Sequence, residues 1–435
     1  RTKKILLHVC EMKKLLFILL LTIPFIGFGQ SWEKHYNLSD NDKIESITQT
    51  NDGGYIMTGY ISIVERDVIL IKLNSLGDTL WTNRLIETHD QEGNIVKQTN
   101  DDGYVICGIR EDSQGNGDIW VIKTDSTGNL QWNVMFGDSL SYEWGNSIYQ
   151  TTDNGYIITG SMNDSLCLIK IDQYGSQQWI QNYDLGSGSS VEQTTDGGYI
   201  VCGRNGGIIN PTITNSLPWI IKTNSNGVIM WDTVFQVHSD DWLRNISETN
   251  DGGYITSGRI TDTLTGEFNV WYLKLDSMGS LVFDKKIPST INDSDGSDIK
   301  QTNDGGYIIT GCNSYDFSSL WLIKTNTLGD TLWTKKYGDP LRFNNGRSVE
   351  QTNDGGYIIG GYTVYNFGSN YKDMFVIKTD GNGNITSTFN IPTQSSKRKL
   401  EKIVDILGRD VKPQTNSPFI EIYDDGSTEK KIIIE

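Results

Sequence analysis

Seven aspartates and seven lysines recur at matching places along this chain. The aspartates, Asp52, Asp101, Asp153, Asp196, Asp251, Asp304 and Asp354, stand in turns spelled NDGG, NDDG, TDNG or TDGG. The lysines, Lys72, Lys123, Lys170, Lys222, Lys274, Lys324 and Lys378, each end an apolar run that follows. A ring of carboxylates could hold cations. Carboxylates facing ammonium groups would instead be neutralised and would cap turns, and the matched recurrence favours that reading. The stretch NDSDGSD brings Asp293, Asp295 and Asp298 together at calcium-loop spacing but lacks a bidentate glutamate to close the shell, so an acidic solvated loop is preferred to a Ca2+ site. No other cofactor is implied.

Aromatic residues could read sugar rings or peptide. Tyr315, Phe317, Tyr362, Tyr365, Phe367 and Tyr371 fall in segments that differ from repeat to repeat, and Trp144 and Trp242 join them as stacking candidates. Packing of the same rings along a rim is the equal alternative. For catalysis, Glu143, Asp241, Arg244 and Arg347 are read as preceding first strands in different repeats and could converge, but no spacing sets them out as a nucleophile, acid or base. His35, His89 and His238 are far apart, and Cys107, Cys167, Cys202 and Cys312 read as small buried residues with no CxxC pattern.

What must position these groups is a repeat. QTNDGGYI begins at Gln301 and again at Gln351, and related copies place tyrosines at 55, 104, 156, 199, 254, 307 and 357, a period of about 50 residues. Each unit carries four short apolar runs separated by turn signals, with no helical periodicity. The runs YIIT and WLIK are continuously apolar, the pattern of strands buried on both faces. The third turn position is always Gly, Asp or Asn, residues that tolerate positive φ. The expected fold is all-β: a seven-bladed β-propeller of four-stranded blades over residues 31–392. SWEKHYNLSDNDKIESITQT aligns with LWTKKYGDPLRFNNGRSVEQT, which places Trp32 where a later repeat has Trp333, so residues 31–37 are expected to supply the missing fourth strand of the seventh blade.

Met12, Lys13 and Lys14 precede the apolar LLFILLLTIPFIGFGQ, which reads as a secretory signal peptide over 12–30, with 1–11 as upstream translation. The chain contains 46 Gly and only 8 Pro, and carries a net charge of −17, which argues against a nucleic-acid partner.

Between strands three and four, an aromatic follows the turn glycine at the fourth position: Trp81, Trp132, Trp179, Trp231, Phe283, Trp333. This spacing resembles the tryptophan-docking motif of quinoprotein-type propellers. The resemblance implies packing between blades and no quinone site. After a polar linker (393–399), DILGR, NSPFIEIYDDGSTEK and IIIE resemble the C-terminal sorting domain of the type IX secretion system of Bacteroidetes. That resemblance implies a small β-sandwich-like sorting domain over 400–435, with Asp405, Gly408, Arg409, Asp425, Gly426, Glu429 and Lys430 as its signal. It further implies the secretion machinery as a partner and a secreted or outer-membrane-surface location. The repeats resemble secreted TxDGGYI propeller proteins, which share no transferable activity.

Two function classes stay open. One is a monomeric binding or adhesion protein holding glycan or protein on its variable loops, with no membrane span in the mature chain. The other is a polysaccharide hydrolase or lyase with its site at the propeller axis.

Overall fold

Gln49 to Tyr55 explain the spelling of the repeated stretch. Thr50 accepts backbone hydrogen bonds from Gly53 and donates its own amide to Gly54, closing a tight turn between two strands. The third turn residue is left-handed in all seven copies, with Asp102 and Asn154 at φ 61° and 64° and Gly53 at 80°. The fourth residue, Gly54, has a different reason to be glycine: a Cβ there would overlap the Leu73 carbonyl and the Lys72 ammonium. The aspartate accepts from the Thr50 hydroxyl, the Gly54 amide and Lys72. All seven lysines meet their own turn aspartate at 2.8–2.9 Å. The initial glutamine reaches outward, because the residue after each threonine donates its amide to the Gln or Glu side chain of the next repeat at 2.8–2.9 Å, and Asn353 closes the circuit onto Gln49.

The computed structural model describes residues 31–385 and 400–431, apart from 40, 86–87, 138–140, 207, 211–212, 215–216, 238–240, 289–293, 314–318, 365–370, 405–408, 410, 414–418 and 424–427. The segments 1–11, 12–30 and 393–399 lie outside the described residues, as do Asp293, Tyr315, Phe317, Tyr365, Phe367, Asp405, Gly408, Asp425 and Gly426. The chain divides into two compact units, Arg1–Thr386 and Ser387–Glu435.

In the first unit, antiparallel four-stranded sheets follow one another as a propeller. Sheet one runs Asp42–Gln49, Tyr55–Ser62, Arg66–Leu73, Thr79–Leu85; sheet two Gln91–Gln98, Tyr104–Glu111, Gly117–Thr124, Leu130–Phe136. Sheets five, six and seven begin at Trp242–Glu248, Ser294–Gln301 and Phe343–Gln351. Sheets three and four share one uninterrupted strand, Gln177–Gln193, which is outermost in sheet three and innermost in sheet four. Nothing in the repeat spacing foretold a junction without a loop.

The N-terminal strand Trp32–Tyr36 pairs antiparallel with Lys372–Thr379 and completes sheet seven, with Trp32 opposite Lys378. Each outer-strand aromatic then docks on the repeat tyrosine of the next sheet. Trp32 meets Tyr55 and six equivalent pairs follow, with ring centroids 5.8–6.0 Å apart. Tertiary burial is divided among seven apolar layers, one between each neighbouring pair of sheets, including sheet seven on sheet one. Consecutive residues such as Ile56 and Met57 feed opposite layers, which is why the strands are apolar throughout. Cys107, Cys167, Cys202 and Cys312 are free and buried, the first three in these layers.

The second unit contains one three-stranded antiparallel sheet among its described residues: Leu400–Val404, Phe419–Tyr423 and Thr428–Lys431. Of the sandwich-like form expected from the sequence, the described residues show this one sheet. Glu429 and Lys430 lie on its last strand, and Arg409 is exposed ahead of the second.

Candidate functional site: the axial pocket

The innermost strands share one irregularity. Pairing to the second strand slips at Ile44/Ser46, Gly93/Ile95, Gly145/Ser147, Gly188/Ser190, Leu243/Asn245, Gly296/Asp298 and Gly346/Ser348. One residue per strand is thereby left out of the ladder: Glu45, Asn94, Asn146, Ser189, Arg244, Ser297 and Arg347. A bulge re-aims its extra residue, and all seven line one pocket of about 780 Å³ on the axis. The glycine ending YIITG makes the bulge possible. At Gly59, Gly108 and their counterparts a Cβ would overlap a carbonyl oxygen of the bulged strand.

Toward sheets seven, one and two, the charges satisfy one another. Arg347 Nε donates to Glu45 Oε2 at 2.7 Å, and Lys43 pairs with the same carboxylate. Arg66 meets Asp90 at 3.0 Å and Glu92 at 3.1 Å. Burial alone would push the Glu45 carboxyl up, but Arg347 and Lys43 outweigh it and hold it at about 2. Burial raises Glu92.

Toward sheets four and five, the balance is cationic. The half-buried Trp242 ring has the guanidinium carbons of Arg259, Arg244 and Arg204 at 3.8, 4.4 and 5.6 Å from its centroid. Arg259 is also 3.8 Å from the Phe268 ring. Arg244 is anchored by Asp295 at 2.7 Å. Burial and the facing charges of Arg244 and Arg259 lower the proton affinity of Arg204. The Trp242 Nε1–H is out of solvent and meets no acceptor among the described residues. Sheet four, between Trp144 of sheet three and Trp242 of sheet five, gives the pocket a floor of small residues: Gly186, Ser187, Ser189 and Ser190. Asn146 pins that floor by donating to the Gly188 carbonyl at 2.7 Å. The rim above sheet three is cut low, because Asn163 and Asp164 form a tight two-residue hairpin with φ 50° and 60°.

Deeper, toward the aspartate turns, Lys97, Lys300 and Glu350 line the pocket. Glu350 accepts from the Thr48 hydroxyl and the Gln49 amide at 2.7 and 2.8 Å. Lys300 lies 3.6 Å from Asp298.

The expected site residues divide. Trp242 lies in the pocket wall. Trp144, 39% exposed, lines the mouth beside Tyr142. Tyr362 belongs to a strand instead of a loop. It is half-buried between Lys43 and Lys372, and burial pushes its hydroxyl up to about 12. Tyr371 is 56% exposed. Asp295 and Asp298 lie on the strand Ser294–Gln301, so the solvated-loop expectation is corrected: the bulge at Ser297 brings the two residues, three apart, into phase, and they pair with Arg244 and Lys300. No group of three His, Cys, Asp or Glu able to hold a metal is found among the described residues. Arg244 and Arg347 converge on the axis, whereas Asp241 is spent on the Thr261 amide and hydroxyl and Glu143 is fully buried. Sequence reasoning missed Arg204, Arg259 and Lys97. The glycine ending each YIITG was the available signal, since a strand glycine marks a bulge or a close backbone approach.

No family model matches the chain, and no curated protein matches it. Solved structures match the fold. A streptogramin B lyase is 12% identical with TM-score 0.52, covering 81% of this chain and 99% of that one. Virginiamycin B lyase from Staphylococcus aureus is 11% identical with TM-score 0.51, covering 80% and 99%. An ulvan lyase of a polysaccharide lyase family, bound to -[GlcA(1-4)Rha3S]-, is 10% identical with TM-score 0.55, covering 80% and 96%. At these identities the likeness is one of β-propeller fold.

Proposed function

We propose that this chain binds an acidic carbohydrate in its axial pocket, as a secreted or surface protein carried out by the type IX pathway. One observation carries the ligand class: three guanidinium groups gathered around the Trp242 indole. An indole face stacks on a sugar ring, and guanidinium groups pair with carboxylate or sulfate through two parallel hydrogen bonds. The Gly/Ser floor and the low rim over sheet three leave room for a chain to lie across the mouth, and Trp144 offers a second ring there. The ulvan lyase, whose ligand is an acidic glycan, supports the choice of class by analogy of fold alone.

The test is fluorescence titration of the full chain with acidic and neutral oligosaccharides, taking the Trp242→Phe variant as the reference because the chain has 12 tryptophans. Acidic sugars are expected to quench the Trp242 component, and Arg204→Gln or Arg244→Gln to weaken binding about tenfold or more. Equal binding of neutral sugars, or a response to acidic peptides only, would overturn the reading. Formation of a shortened or unsaturated product in the same mixtures would move the chain to the hydrolase or lyase class.

A further inference from the structure

We infer that the axial pocket holds a second anion-binding position at Lys97, so that its ligand carries at least two acidic groups. The first group is taken by the arginines around Trp242 and the second by the Lys97 ammonium. This deepens the proposal above and rests on it for the first position only.

Lys97 is the residue before Gln98 on the innermost strand of sheet two. The charges that act on it are Lys300, Glu350, Asp298 and Glu192, which belong to sheets six, seven, six and four. Groups on those sheets reach sheet two only across the axis, so the Lys97 side chain faces the channel and not an apolar layer. The carboxylates around it are already engaged. Glu350 holds Thr48 and Gln49, Asp298 accepts the Val349 amide at 2.9 Å, and Glu192 accepts the Glu248 amide at 3.0 Å. Lys300 donates toward Asn245 and Ser247 at 3.4 and 3.3 Å. Among the described residues no hydrogen bond or ion pair reaches the Lys97 amine. Burial first, and then the facing Lys300 charge, lower its affinity for a proton against the opposing pull of Glu350, Asp298 and Glu192, and since none of these three bonds the amine, its hydrogen-bond positions are left for an incoming anion.

Along the strand direction Lys97 lies about 10–15 Å below the level of Trp242, from the number of residues between their levels at about 3.3 Å each. A single small anion cannot bridge that depth. A chain of acidic sugars that crosses the mouth and turns one end down the axis can, placing one carboxylate or sulfate at each level. A free sulfate or a terminal uronate offers Lys97 the same local chemistry, and the experiment separates the two.

The test is lysine footprinting of the full chain by limited acetylation and mass spectrometry, at constant ionic strength, with chloride, sulfate, a monomeric uronate or a trimeric uronate present. Lys97 is expected to be labelled in chloride and protected about tenfold by the trimer. Protection by sulfate is expected to survive in the Arg244→Gln variant. An unchanged Lys97 rate in both sulfate and trimer would overturn the second position. As an orthogonal check, Lys97→Gln should weaken the trimer about tenfold and the monomer by much less. Equal loss for both sugars would overturn the inference. Trp242 quenching without Lys97 protection defeats the second position alone. Lys97 protection without Trp242 quenching defeats the first.

Discussion

Lys222 shows what the repeat demands of single residues. Its side chain is 2% exposed while its partner Asp196 is 52% exposed, so a buried cation depends on a carboxylate at the surface. Burial pushes the Asp196 carboxyl up, but bonds from Lys222, Thr194 and the Gly198 amide outweigh it and hold it at about 2. An unfolded aspartate titrates at about 3.9. The folded value is the lower, so the Lys222–Asp196 pair stabilises the ring above pH about 4 and loses that contribution as pH falls toward about 2. Asp196→Asn should therefore lower stability at neutral pH and flatten the acid-unfolding curve, which circular dichroism against pH would follow. Gly198→Ala should cost on the order of 1–3 kcal/mol in denaturant melts, because its Cβ has nowhere to go beside Lys222 and the Thr223 carbonyl. Gly197→Asn should be nearly neutral, since Asn154 already occupies the equivalent left-handed position. The left-handed residue was legible in the sequence from the Gly/Asp/Asn alternation. The reason for the invariant fourth glycine was not, because it lies in a lysine some 20 residues away that only the folded sheet brings beside it.

At the scale of elements, the strand Trp32–Tyr36 is the closure of the ring. Alignment of tryptophans exposed it in the sequence because each outer-strand aromatic docks the same way. Trp32→Ala empties the place between Gly77 and Tyr55 and should cost about 3–5 kcal/mol, with a matching fall in denaturant midpoint. The equivalent change at Phe283 should cost less, because it removes a smaller ring from an interior joint. The bulges were less legible. Their strands vary in sequence, and a one-residue slip leaves no mark on hydrophobic period beyond a glycine in the partner strand. That slip decides which residues face the axis. It explains why Arg244 and Arg347 reach the pocket, whereas Asp241 and Glu143 precede their strands, the first bonded to Thr261 and the second buried.

For the whole molecule, the net charge of −17 and the cationic pocket wall oppose each other. The overall field repels an acidic ligand at long range, while the arginines hold it at short range. Raising ionic strength toward about 0.15 M should therefore speed association, as the long-range repulsion is screened within about 8 Å, and should also speed dissociation. Stopped-flow fluorescence with an acidic oligosaccharide separates the two rates. Charge counted over the sequence could not reveal this, because the arginines gather only when sheets four and five are side by side. The strand Gln177–Gln193 bears on the ring in another way. It lies diametrically across from the joint where the strand Trp32–Tyr36 meets Lys372–Thr379, and it gives sheets three and four a single covalent backbone with no loop to yield. The two sheets can open only together. The ring is therefore mechanically polar, with a seam at sheet seven that parts first and a spine at sheets three and four that exchanges its amide hydrogens last.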